Sequence, residues 1–121
     1  MPIEESEIFI KQVLKLNKKY RNIEVDVESF KNELPKLAFK PISPRNIPII
    51  TVKSLNIICK NVWRIRMINS DNNKGNSGGY RVFYCEGKSQ ESILLLGIYP
   101  KQEIKDNEYR SIAKELVEAC C

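Results

Sequence analysis

Val62-Trp63-Arg64-Ile65-Arg66-Met67 alternates apolar and basic residues with a period of two. Successive side chains of a strand point to opposite faces. Trp63, Ile65 and Met67 therefore belong to one face, expected to meet helices as core, and Arg64 and Arg66 to the other, expected to line a concave open surface. After the polar loop Asn69 to Gly78, Gly79-Tyr80-Arg81-Val82-Phe83-Tyr84-Cys85 reads as a second strand that returns beside the first as a hairpin. Glu86-Gly87-Lys88-Ser89 is the next turn. The unbroken Ile-Leu-Leu-Leu run that opens Ile93 to Tyr99 predicts a third strand buried on both faces at the centre of the sheet.

Upstream, Phe9, Val13, Leu16 and Tyr20 recur at helical spacing between Glu7 and Tyr20, while Lys11, Lys15, Lys18 and Lys19 form a basic back. Glu24, Asp26 and Glu28 suit the positive N-terminus of a second helix whose buried stripe is Val27, Phe30 and Leu34, with Pro35 ending or bending it. Residues 35 to 61 hold Pro41, Pro44 and Pro48 and read as a connector, in which Ile47 to Val52 is a candidate edge strand. Downstream, Asp106 or Asn107 is placed to cap a last helix with Ala113, Leu116, Val117 and Cys120 on one side. The order predicts one α+β domain over residues 1–121: a small antiparallel sheet packed on one face against two N-terminal helices and one C-terminal helix.

Composition bounds the function. With 42% hydrophobic and 29% charged residues in 121, the chain has the mixture of one globular domain. Its 20 Lys+Arg against 15 Asp+Glu leave a net charge of +5, which favours polyanionic partners without requiring them. There is no histidine, and Cys59, Cys85, Cys120 and Cys121 form no CxxC pair, so no metal site and no cofactor are expected. No apolar stretch approaches bilayer length, and the N-terminus lacks a basic region followed by an apolar run. The expectation is a cytoplasmic protein with reduced thiols and no membrane partner.

Three stretches together resemble the RelE/HigB family of bacterial toxins: Val62-Trp63-Arg64-Ile65-Arg66; Lys74-Gly75-Asn76-Ser77-Gly78-Gly79-Tyr80-Arg81-Val82-Phe83-Tyr84, with its GxSGGxR turn; and Leu95-Leu96-Gly97-Ile98-Tyr99-Pro100-Lys101. Lys18-Lys19-Tyr20 ahead of an acidic second helix is similar as well. The likeness spans about residues 7 to 118, with its specificity between 62 and 101. It implies a toxin of a type II toxin–antitoxin pair, an endoribonuclease cutting mRNA on the ribosome, with a cognate antitoxin, the ribosome and mRNA as partners. It also implies that the family's basic strand residues fall on Arg64 and Arg66, its turn arginine on Arg81 and its strand-end basic residue on Lys101. A last-helix tyrosine would fall near Tyr109, at a spacing that differs by a residue or more.

RNA is cut by its own 2′-hydroxyl when the extra charge on phosphorus is stabilised and protons are moved. Arginine stays protonated, so Arg64, Arg66 and Arg81 are assigned to positioning and charge stabilisation, and Lys101 or Tyr99 to proton transfer. Lys74, Lys15, Lys18 and Lys19 are the candidate RNA-binding residues. Taken alone, the glycine-rich loop reads as a flexible turn, the arginines as a solvated strand face and the lysines as a solvated helix face. Two other functions fit the same likeness: a ParE-like gyrase poison that cleaves nothing, and an inactive RNA-binding relative.

Overall fold

In the computed structural model the described residues are 1–50, 59–75, 77–87 and 91–121. Thr51 and Val52 of the expected edge strand, Asn76 of the glycine-rich turn, and Lys88 and Ser89 of the following turn lie outside them. The elements run β1 (Ile3–Glu5), α1 (Glu7–Leu16), α2 (Ile23–Leu37), β2 (Asn46–Ile50), β3 (Lys60–Met67), β4 (Tyr80–Glu86), β5 (Ile93–Pro100), two single-turn 3-10 segments (Lys101–Glu103 and Asp106–Glu108) and α3 (Tyr109–Cys120). This is the expected α+β class, with two N-terminal helices, a sheet and one C-terminal helix.

The five strands stand in the order β1-β5-β4-β3-β2. β2, β3, β4 and β5 pair antiparallel, as the hairpin reading requires. β1 pairs with β5 in parallel, Ile3 opposite Ile93 and Glu5 opposite Leu95, so the sheet is mixed and the expectation of a wholly antiparallel one is corrected at this edge. The first strand had no readable pattern because three residues are too few to show a period. Ser6 follows it and joins two elements: its hydroxyl accepts from Phe9 N at 3.0 Å as the N-cap of α1 and donates to Leu96 O of β5 at 2.8 Å.

α2 reaches Leu37, past Pro35, which sits in its last turn and so ends nothing before it. A proline removes only its own N–H bond and crowds one carbonyl, a cost the final turn tolerates better than the middle. Asp106 and Asn107 do not cap α3. They form the 3-10 turn before it, in which the Glu108 carboxylate accepts from Lys105 N at 2.8 Å.

The helices occupy both faces of the sheet, which corrects the one-face arrangement. On one face Phe9 and Val13 of α1 and Ile23, Val27, Phe30 and Leu34 of α2 pack on Trp63, Ile65, Met67, Val82, Tyr84, Leu95 and Ile98. On the other, Tyr109, Ala113, Leu116 and Val117 of α3 cover Val62, Phe83, Cys85 and Leu96. The expectations that Trp63, Ile65 and Met67 meet helices as core and that β5 is buried on both sides are borne out, while the expectation that β5 is the central strand is corrected: β4 holds that place. Gly79 opens β4 because a Cβ there would run into the Met67 carbonyl. Cys59 and Cys121 form a disulfide between the start of β3 and the end of α3, so the expectation of four reduced thiols is corrected; Cys85 and Cys120 are free.

Two buried tyrosines of β4 differ in one respect. The Tyr84 hydroxyl donates to Asn46 Oδ1 at 2.7 Å and accepts from Phe39 N at 3.2 Å, whereas the Tyr80 hydroxyl is buried without a hydrogen-bond partner among the described residues. Burial raises the pKa of both, and Asp26 and Asp71 add to the shift at Tyr80. Tyr84→Phe is expected to cost about 1–2 kcal/mol, while Tyr80→Phe is expected to be neutral or to stabilise by up to about 1 kcal/mol. A folded pKa raised above the unfolded value of about 10 means stability is full below that pH and falls above it. Tyr80→Phe should therefore also flatten the alkaline decline. Urea melts at neutral pH and across the alkaline range check both.

Candidate nucleic-acid interface

Strand register assembles residues that are far apart in sequence. Arg66 of β3 stands opposite Arg81 of β4, and Arg81 stands opposite Tyr99 of β5, a row across three strands on the face that α3 covers. Arg64 lies two residues back along β3 on the same face, as the period of two requires.

That face is roofed by α3, so the expectation of an open surface is corrected. Arg64 is 3% exposed, with its guanidinium over the Tyr109 ring at 5.1 Å and Nη1 donating to Pro44 O at 3.0 Å and Arg45 O at 3.1 Å. Arg81 is 2% exposed. Its Nη2 donates to Ser77 O at 2.8 Å, its Nε to the Tyr109 hydroxyl at 3.2 Å, and its Nη1 to Tyr80 O at 3.5 Å. The reason is apolar: Phe83, Cys85 and Leu96 share this face, and the helix that hides them begins above the arginines. Burial lowers the Arg64 pKa; Tyr109 opposes that shift, and repulsion from Arg81 and Arg66 adds to it. An aromatic face and main-chain carbonyls are the partners that make two such buried cations tolerable.

Beside this roof lies a cleft of about 510 Å³ between β2 and the start of α3. Arg64, Arg66, Tyr109, Arg110, Asn107 and Pro44 are among the residues lining it. Arg66 is half-buried, and its Nε has no hydrogen-bond partner among the described residues. Arg110 is exposed at the mouth. Three guanidinium groups around one opening, two of them (Arg64 and Arg66) with an Nε that has no hydrogen-bond partner among the described residues, form a place for an anion with planar oxygen acceptors. Asp106 also faces the cleft and opposes anion entry on its own side.

The other sequence-predicted residues distribute around the end of the sheet where β3 and β5 finish and β4 begins. Lys101 is exposed just after β5, with its N–H donating to Gly79 O at 3.0 Å. Lys74 is exposed in the loop leading to β4. Lys19 lies over the Tyr20 ring, and the Tyr20 hydroxyl accepts from Gln102 of the first 3-10 turn, which brings the end of α1 to the same rim. Lys18 and Lys15 flank it, the latter in the last turn of α1. Tyr99 is half-buried, its ring edge-on to Phe83, and burial raises its pKa, with a hydrogen bond from Gln12 opposing. A phenol held protonated in this way stays neutral and can donate a hydrogen bond, while loss of its proton is made harder. Among the described residues no three His, Cys, Asp or Glu side chains are grouped to hold a metal ion, and no helix is long and apolar enough to cross a membrane.

No protein-family model matches the chain, and no curated protein matches it significantly.

Arg110 was not singled out in the sequence, Asn107 entered only as a helix cap, and Tyr109 entered only through the toxin likeness. The available signal was position: residues at the start of a helix that crosses a strand carrying alternating arginines stand over that strand's polar face.

Burial reverses what the sequence alone implies for Arg81, whose truncation would be mild at an exposed site. Arg81→Ala leaves Ser77 O and the Tyr109 hydroxyl without their donor and opens a void, so a loss of about 2–4 kcal/mol is expected. Arg81→Lys should fall between, because an ammonium cannot reproduce the guanidinium fork. Arg66→Ala should cost less than about 1 kcal/mol. Urea midpoints of the three variants check this order.

Proposed function

We propose that the chain is a RelE/HigB-like toxin, a metal-independent endoribonuclease that cuts mRNA on the ribosome and is restrained by a cognate antitoxin. The observation that carries the reading is the cleft in which Arg66, Arg64 and Arg110 surround one opening with Tyr109 at its wall. It unites residues from a strand and a helix that are distant in sequence around a common cationic point. Such a point suits the phosphorane-like transition state of 2′-hydroxyl attack, where charge on the non-bridging oxygens grows.

In this reading Arg66 and Arg110 grip the scissile phosphate, and Arg64 adds positive charge beneath it. Arg81 holds the Tyr109 hydroxyl and thereby sets the ring that walls the cleft. Proton transfer falls to Tyr109, Tyr99 or Lys101. Lys74, Lys15, Lys18, Lys19 and Lys101 make salt-sensitive contacts to ribosomal RNA. The net charge of +5 and the sequence likeness between residues 62 and 101 support the same partner class. A helix-turn-helix protein encoded beside this chain is the antitoxin this reading requires.

Primer extension on transcripts translated in the presence of the purified chain tests it. Discrete cuts within translated frames are expected, with Arg66→Ala lowering the rate about a hundredfold while its melting curve stays near wild type. Intact transcripts at verified folding would overturn the nuclease reading, and gyrase-linked DNA breaks in their place would identify the poison.

A further inference from the structure

The helix that roofs the arginines is held at both ends by different means. At its start, chain connectivity through the two 3-10 turns ties it to β5, and Tyr109 rests on Arg64 and Arg81. At its end Cys121 is bonded to Cys59, which immediately precedes the strand that carries Arg64 and Arg66. Between these ends Ala113, Leu116 and Val117 are buried against the sheet. A helix tied at both ends cannot swing. With the disulfide cut, the covalent tie between that end of the helix and β3 is gone, and α3 is held there by the packing of Ala113, Leu116 and Val117.

We propose that the Cys59–Cys121 disulfide is a thiol-operated clasp that keeps α3 over Arg64 and Arg81, so that reduction makes this basic floor reachable and loosens the cleft wall that Tyr109 and Arg110 form. Cys121 is the exposed partner and Cys59 is fully buried, so an incoming thiol meets Cys121 first. The thiolate of a low-molecular-weight thiol attacks Cys121 Sγ, the S–S bond breaks, and Cys59 leaves as a thiolate that takes a proton. A second thiol then displaces Cys121 from the mixed disulfide. Two protein thiols are formed, and two molecules of reductant become one disulfide. The other two cysteines lie against the same end of the helix: Cys85 on the sheet beneath it and Cys120 within its last turn. Burial pushes the Cys85 thiol up to about 12, which keeps it out of exchange and leaves Cys120 as the free thiol next to the clasp.

The clasp regulates the cleft only if the anion-binding reading above holds, yet it is testable without activity. Phenylglyoxal, which modifies accessible guanidinium groups, is applied to the air-oxidised chain, to the same chain in dithiothreitol, and to Cys121→Ser and Cys59→Ser. Modified arginines are located by mass spectrometry, and amide exchange is followed over residues 109–120. In the oxidised chain Arg64 and Arg81 are expected to react slowly, and on reduction or in either variant at least about tenfold faster, with α3 amides exchanging faster in parallel and the α1 and α2 amides unchanged. Equal labelling in oxidised and reduced wild type overturns the clasp, as does a count of four free thiols in the oxidised chain. The wild-type comparison needs no variant, so it decides the matter even where a serine variant fails to fold. Ribosome-dependent cleavage is measured alongside. Labelling that responds to reduction without any cleavage in either state keeps the clasp and removes the nuclease reading. Cleavage in both states with redox-independent labelling does the reverse.

Discussion

Two guanidinium groups buried on one face of a sheet set the condition that the rest of this fold must meet. Arg64 and Arg81 are each almost wholly removed from water, and a buried charge without partners costs several kcal/mol. Tyr109 meets both at once, offering its ring to Arg64 and its hydroxyl to Arg81. The start of α3 is consequently placed by electrostatics, whereas its remaining turns are placed by Ala113, Leu116 and Val117. Roof and floor are interdependent: losing the helix would hydrate two cations, and losing either cation would unseat the first residue of the helix.

The opposite face supplies the remaining acceptors at a distance. Asn46 is fully buried; its Nδ2 donates to Leu37 O and Lys40 O, and its Oδ1 accepts from Tyr84. One side chain thus closes the end of α2, anchors the start of β2 and meets the middle of β4. Arg45 beside it is tied to Glu33 of α2 at 2.8 Å. Together these contacts hold the segment whose Pro44 and Arg45 carbonyls receive Arg64. The cleft wall is therefore built from contacts made largely through the core on the other side of the sheet.

Much of this was legible in the sequence. The alternation from Trp63 to Met67 located β3 and its apolar face, the Ile93 run located the doubly covered strand, and the helical stripes located all three helices. The position of α3 was not legible, because a period of two says that Arg64 and Arg66 share a face and is silent on what lies over it; arginine reads as solvated until a tyrosine and carbonyls are seen to satisfy it. The Cys59–Cys121 bond joins residues 62 positions apart, and spacing rules for cysteine describe local pairs. Arg66 and Arg81 were both marked by the strand pattern, but neither the half-burial of the first nor the near-complete burial of the second is written in that pattern. Arg110 escaped notice because a helix-start arginine carries no pattern of its own.

The borders of the sheet are unlike its interior. β1 is only three residues long and carries the exposed Glu4, and β2 places Pro48 opposite Trp63 beside an irregularity in the register. A short charged edge and a proline-bearing edge are both poor templates for another strand. In a chain whose central strands are almost entirely buried, these borders are what stand between one folded copy and strand-by-strand association with the next. A change that made Pro48 a β-branched residue would be felt first as a loss of solubility at high concentration, well before it registered as a change in folding.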